Sequence, residues 1–131
     1  MLNRVKISRE VILVGGGHAH AIFLRKWAMH SIPGVQISLI SPSPEATYTG
    51  MLPGFLAGHY SKEEIVIDLV KLCRFSGARF IMGSVSNIIS KENLISIDGR
   101  CSIKYDVASI DIGVTSTIND KKRFNMNTHS I

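Results

Sequence analysis

The sequence predicts an α/β domain: a parallel sheet flanked by helices, with an antiparallel β-meander beside it. Three observations predict this. A continuous apolar run, Val11 to Val14, drives into Gly15-Gly16-Gly17. The hydrophobic period then lengthens to that of a helix, and a second short strand, Val35 to Ile40, follows Pro33-Gly34. Further along, short apolar runs follow one another with only turns between them, as in a meander.

Each element has its own signal. Val11 to Val14 has no polar alternation, as expected of a strand covered on both faces. From His18 to about Met29 the residues Ala19, Ile22, Phe23 and Trp27 recur at helical spacing, with Arg25, Lys26 and His30 off the stripe. His20, Phe23 and Trp27 share a face, and that face is expected to point at the sheet. Pro33-Gly34 stops the helix. The first forty residues therefore read strand, turn, helix, turn, strand, a unit that demands parallel pairing.

Ser41 to Tyr60 is rich in Ser, Pro, Gly and Thr yet carries Tyr48, Met51, Leu52, Phe55 and Leu56. It reads as a long loop that either serves a ligand or plugs the sheet edge. Ser61 with Glu64 three residues on is a capping-box signal. A helix is expected from there to about Phe75, burying Ile65, Leu69 and Leu72 and stopping before Gly77. Arg79 to Met82 is a third strand. Ser84 to Ile89, Leu94 to Ile97 and Cys101 to Tyr105 form the meander, with Asp98-Gly99 as a tight hairpin turn. Val107 to Ile110 is the last strand. Residues 1–116 form the domain, and 117–131 read as a loose tail without periodicity.

Composition narrows the function. The chain has 131 residues, 45% hydrophobic and 19% charged, enough for one domain with a true core. The formal charge is +5, but the positives are scattered and no basic stripe interleaves with aromatics, so nucleic acid is not an expected partner. No apolar run approaches the roughly 18 residues that span a bilayer, and the N-terminus does not read as a signal peptide. A cytoplasmic protein is expected. Cys73 and Cys101 stand alone, without C-x-x-C spacing, so we expect reduced structural thiols and no metal site.

The glycine turn carries the chemistry. In G-x-G-x-x-G the first glycine permits the tight turn, the second lets the backbone approach a pyrophosphate, and the third lets helix and strand pack closely. The anion sits on free N–H groups at the helix N-terminus. Gly15 and Gly17 fill the first two positions, and His20 stands at the third. His20 is expected to be a packed residue bonded to backbone rather than a catalytic one. His18, in the first helical turn, lies near the expected phosphate. The acid that holds the ribose at the end of the second strand is replaced by Ser41, a weaker partner, and no Arg stands beside it for a 2′-phosphate.

Four stretches together resemble a known family. VILVGGGHAH is similar to its FAD-binding turn, and YTGMLPGFLAGHYS to the segment after its second strand. Gly83 to Val85 is similar to its G-x-V, and KYDVASIDIG to its Y-D-x-L-x-x-A-T-G motif. The family is the pyridine nucleotide-disulfide oxidoreductase superfamily, in its type II NADH dehydrogenase and sulfide:quinone reductase branch. The likeness is greatest to the oxidoreductase domain fused to selenide, water dikinase, where a histidine in place of the third glycine is usual.

The resemblance implies a Rossmann-like FAD/NAD(P)-binding fold and FAD as the dinucleotide. The implied contacts are Gly15, Gly16, Gly17, His18, Ala19, Ser41, Pro42, Met51, Leu52, Val85, Asp111 and Gly113. It implies a flavin that takes hydride from NAD(P)H. Asp111-Ile112-Gly113 departs from A-T-G. The family's NAD(P)H domain has no counterpart here, since too few residues follow Gly113 for the roughly 30 of a second βαβ unit. There is no redox-active cysteine pair. We therefore expect an FAD-binding segment inactive by itself, completed by selenide, water dikinase or another chain. The alternatives are a non-catalytic nucleotide-binding or assembly module and a short NAD-binding domain. No catalytic residue is assigned.

Overall fold

The structure, a computed structural model, describes residues 6–113, and the expected tail at 117–131 lies outside them. Strand β1 (Arg9–Val14) leads through the glycines into helix α1 (His18–Met29), and β2 (Val35–Ser41) follows. β1 and β2 pair in parallel with Val11 opposite Ile37 and Val14 opposite Ile40. β5 (Arg79–Met82) joins the far side of β2, and β9 (Val107–Ile110) joins the far side of β1, both in parallel. The sheet order is β5-β2-β1-β9.

The apolar run of β1 has the predicted cause, since β1 and its neighbour β2 are covered on both faces, while β9 leaves Val107 and Ile110 exposed. Successive side chains alternate between faces. On one face Leu13, Ile37 and Leu39 pack with Leu24 of α1 and with Leu69 and Cys73 of α4 (Leu69–Ser76). On the other, Ile12, Val14 and Ile40 pack with Ile95 and Ile97 of the meander. That meander is β6 (Val85–Ile89), β7 (Leu94–Ile97) and β8 (Ile103–Lys104), antiparallel throughout. The Arg100 N–H closes a turn onto the Ile97 carbonyl at 3.1 Å around Asp98-Gly99, but strand pairing resumes only at Ile95 opposite Ile103.

Three expectations are corrected. First, α1 does not bury the stripe of Ala19, Ile22, Phe23 and Trp27. Its buried residues are His20, Ala21 and Leu24, while Ile22 is 49% and Phe23 37% exposed. Phe23 instead stacks on the half-buried Trp27. The helix is apolar nearly all round between Ala19 and Leu24, so periodicity alone does not choose a face.

Second, the helix expected from Ser61 to Phe75 is broken. The capping box starts α3 (Lys62–Ile65), and the Ser61 N–H donates to Glu64 at 2.6 Å. These hydrogen bonds to Ser61 hold the Glu64 carboxyl below its ordinary pKa. The chain then extends as β4 (Val66–Asp68) against β3 (Glu45–Thr47) before α4 begins. Ile65-Val66-Ile67 is a β-branched run that fits a strand better than a helix interior. Asp68 then restarts the helix by accepting from the Lys71 N–H at 2.9 Å. Gly77, at φ +71°, ends it.

Third, the loop expected over 41–60 is structured: β3, a 3₁₀ turn at Thr49–Met51 and the short helix α2 (Leu52–Leu56) form a flap closed by β4. Of the two cysteines, Cys73 is buried and Cys101 is exposed, so only Cys73 is a core thiol. Among the described residues no helix is long and apolar enough to cross a membrane.

Candidate dinucleotide site

The carboxyl ends of β1, β2 and β9 converge at the glycine turn. β1 stops because Gly15 takes φ +95°, a conformation that L side chains rarely adopt. Its N–H stays on the sheet, donating to the Ile40 carbonyl at 2.8 Å. A Cβ on Gly15 would fall on the backbone of Asp111 and Ile112, so this glycine is demanded by both conformation and contact. Gly17, the N-cap of α1, has an ordinary φ of −62°. Its lack of a side chain has a different cause, because a Cβ there would fall on the Asp111 carboxylate. A Cβ on Gly16 would meet Leu69 and stand 3.4 Å from the Ser41 hydroxyl.

Asp111 leaves β9 and reaches across to α1. Its N–H donates to the Val14 carbonyl at 2.8 Å, and its carbonyl accepts from the Gly17 N–H at 2.9 Å. Its Oδ2 accepts from the His20 N–H at 3.2 Å. The helix has no acidic residue in its own first turn and no capping side chain from Gly17. Asp111 supplies the anion that a helix N-terminus favours, from ninety-one residues away. The N–H groups of Gly16, His18 and Ala19 donate to no acceptor among the described residues. The turn is thus a cradle of donors with one carboxylate at its edge.

His20 is held from both ends of its ring. Nδ1 lies 2.8 Å from the Gly15 carbonyl and Nε2 2.9 Å from the Ser109 hydroxyl. A carbonyl only accepts, so Nδ1 carries a proton. The residue is 4% exposed. It is the packed, backbone-bonded histidine expected at the third fingerprint position, and it fixes the face that α1 turns to the sheet.

The remaining candidates are dispersed around this centre. Ser41 is buried at the end of β2, and its hydroxyl accepts from the Ser43 N–H at 3.3 Å. Pro42 follows it, exposed. The His18 ring meets the edge of Tyr48 in the flap at 5.7 Å between centroids. Met51 and Leu52 lie half-buried at the flap's 3₁₀–helix junction. Val85 opens β6 and packs on the meander-side core. Gly113, at φ +69°, follows β9. Ser109 and Tyr48 were not singled out as site residues. Ser109 had a signal, since it is a polar residue inside an otherwise apolar strand.

No family model and no curated protein matches the sequence. Solved structures do. Sulfide:quinone oxidoreductase from Aquifex aeolicus superimposes with a TM-score of 0.70 at 24% identity, over 85% of this chain and 26% of that one. NDH2 from Plasmodium falciparum, in complex with NADH, superimposes with a TM-score of 0.68 at 18% identity, over 84% of this chain and 23% of that one. The chain has the Rossmann-like α/β fold of these oxidoreductases. It spans about a quarter of their length. A chain of the Tetrahymena thermophila mitochondrial ATP synthase model matches as well, with a TM-score of 0.71 at 15% identity, over 89% of this chain and 29% of that one. The fold is therefore shared by enzymes and by a chain of a large assembly, and the fold alone does not assign an activity.

Proposed function

We propose that this chain is the FAD-binding N-terminal segment of a flavin-dependent NAD(P)H oxidoreductase of the pyridine nucleotide-disulfide superfamily. One observation carries the reading. The Gly16, His18 and Ala19 N–H groups, unpartnered among the described residues, converge at the start of a 12-residue helix whose strand lies inside a parallel sheet. Such a terminus is suited to a pyrophosphate. Gly15, Gly16, Gly17, His18 and Ala19 would hold the phosphates. Ser41 and Pro42 border the ribose side, Val85 the adenine side, and Met51, Leu52, Asp111 and Gly113 the rest of the rim. The flavin, when bound, supplies acceptance of a hydride. The chain's own part is to hold and orient it.

The described residues contain one glycine-rich strand-to-helix turn. We place the NAD(P)H site outside the described residues, with selenide, water dikinase or another chain as the candidate that completes the fold, and we expect the 131-residue protein not to oxidise NADH by itself. A second reading, a non-catalytic nucleotide-binding or assembly module, is favoured by the match to a chain of the ATP synthase assembly. Titration with FAD, followed by flavin fluorescence, tests the first reading, alongside steady-state NADH consumption with dye or quinone acceptors. We expect weak FAD binding that washes off on desalting and is absent from Gly17→Val, and no turnover above that control. No saturable FAD binding by either protein would favour the second reading. Turnover above the control would overturn the expected inactivity.

A further inference from the structure

Resting on the reading of the glycine turn as a phosphate site, we infer that the Asp111 carboxylate is a built-in competitor for the ligand's phosphates. It occupies part of the donor cradle in the free protein. Gly17 has an ordinary backbone conformation that any residue could adopt, and yet a side chain there would collide with this carboxylate. The space beside the second fingerprint glycine is thus taken by Asp111 before any ligand arrives. The carboxylate takes the His20 N–H and puts a negative charge at the positive end of α1. Among the described residues no basic side chain forms an ion pair with it. The His20 ring, packed beside it, is already committed to Gly15 and Ser109.

Two consequences follow for a phosphate. Its charge meets an uncompensated like charge at the same helix end, which weakens binding. The carboxylate is nevertheless free to leave. Asp111 is anchored by its own backbone, through Val14 and Gly17, so a rotation about the side-chain bonds costs only the contact to the His20 N–H. The strand and the turn stay in place. Asp111 thereby sets how tightly a dinucleotide is held, and a ligand binds by displacing it.

The test compares the full chain with Asp111→Asn, which keeps the shape and removes the charge, and with Asp111→Ala. Binding of ADP and FAD is followed by calorimetry and flavin fluorescence. Thermal melting is followed with and without inorganic pyrophosphate. We expect both variants to bind ADP and FAD roughly tenfold or more tighter than the parent chain, since each tenfold reflects the loss of one modest charge repulsion. Pyrophosphate should raise the melting temperature of the variants and leave the parent nearly unmoved. Equal or weaker binding by both variants would overturn the proposal and make Asp111 a ligand contact or a bystander. If no protein binds ADP or FAD but pyrophosphate still stabilises the variants selectively, the competitor stands and the dinucleotide reading fails. If pyrophosphate stabilises none of them selectively either, the competitor fails too. Should Asp111→Ala not fold, Asp111→Asn carries both measurements.

Discussion

Strand β9 has an aspartate just outside each end, and the two are held differently. Asp106, at the amino end of the sheet, accepts from the Glu10 N–H at 2.7 Å and faces the Arg9 guanidinium at 3.5 Å. Beside it Glu10 accepts from the Ser38 hydroxyl and from Arg79, each at 2.6 Å, and Arg79 Nε donates to the same hydroxyl at 2.9 Å. A hollow of about 310 Å³ opens there, lined by Glu10, Glu92, Asn93, Lys104, Tyr105 and Asp106. At the carboxyl end Asp111 has only a backbone donor among the described residues, on a helix terminus whose further N–H groups have no partner among them. Glu10 and Asp106, two of the carboxylates that line the hollow at the amino end, are already engaged. An end whose charges cancel holds the sheet together. An end that keeps a lone anion beside unpartnered donors is where a ligand has something to gain.

The strongest way to break this contrast is at Gly15. Gly15→Val forces a β-branched residue to φ +95° and drives its Cβ into the Asp111–Ile112 backbone, which has no freedom to yield. Left-handed strain and overpacking together should cost about 4 kcal/mol. Gly77→Ala is the control, because Gly77 has φ +71° but nothing within 4 Å of its would-be Cβ. Only the conformational term remains there, about 1 kcal/mol. Urea unfolding of both variants at unchanged slope separates the two. Equal losses would mean that the carboxyl end is not packed as described.

The next effect is at His20. Removing the ring in His20→Ala leaves the buried Gly15 carbonyl without its donor, while water can replace the exposed Ser109 partner. We expect a loss of about 1–3 kcal/mol with ADP affinity changed less than twofold. A large affinity loss at unchanged stability would place His20 in the ligand site and shift the contrast from Asp111 to the imidazole.

Much of this was legible in the sequence, for identifiable reasons. Val11–Val14 reads as a doubly covered strand because no polar residue interrupts it, and Val35–Ile40 reads as a short strand although Gln36 and Ser38 interrupt it; Ser38 proves to be the buried partner of Glu10 and Arg79. The start and end of α1 were set by Gly17 and by the turn at Pro33-Gly34. What failed is equally physical. His20 lies on the buried face of α1 with Ala21 and Leu24, and its two ring contacts, which span five and eighty-nine residues, leave no trace in a local period. The break at Val66–Asp68 depends on pairing with Glu45–Thr47, which lies across the flap. Asp111 read as a departure from A-T-G. Its link to His20, the other departure from the fingerprint, appears only when β9 lies next to β1.

The smallest effect sharpens the contrast most, because it asks what holds a carboxylate at the amino end. Asp106 has two partners, one a backbone N–H and one a guanidinium, and they can be removed separately. Arg9 is 69% exposed in its side chain, and its contact to Asp106 is long at 3.5 Å. Exposed pairs of this kind contribute between nothing and about 1 kcal/mol, so Arg9→Gln should shift stability by no more than about 0.3 kcal/mol. Asp106→Ala also removes the acceptor of the Glu10 N–H at 2.7 Å, at the start of β1. That bond ties β9 to β1, and its loss should cost about 1 kcal/mol. The double variant should lose no more than Asp106→Ala alone, within the few tenths that additivity allows. That outcome, read from urea midpoints, would make Asp106 and Asp111 the same device: a carboxylate that clips an end of β9 to its neighbour through a backbone N–H. The ends would then differ only in whether donors are left over for a ligand. A loss in Arg9→Gln as large as in Asp106→Ala would instead mean that the guanidinium anchors Asp106. The amino end would then be an ion-paired closure with no counterpart at Asp111.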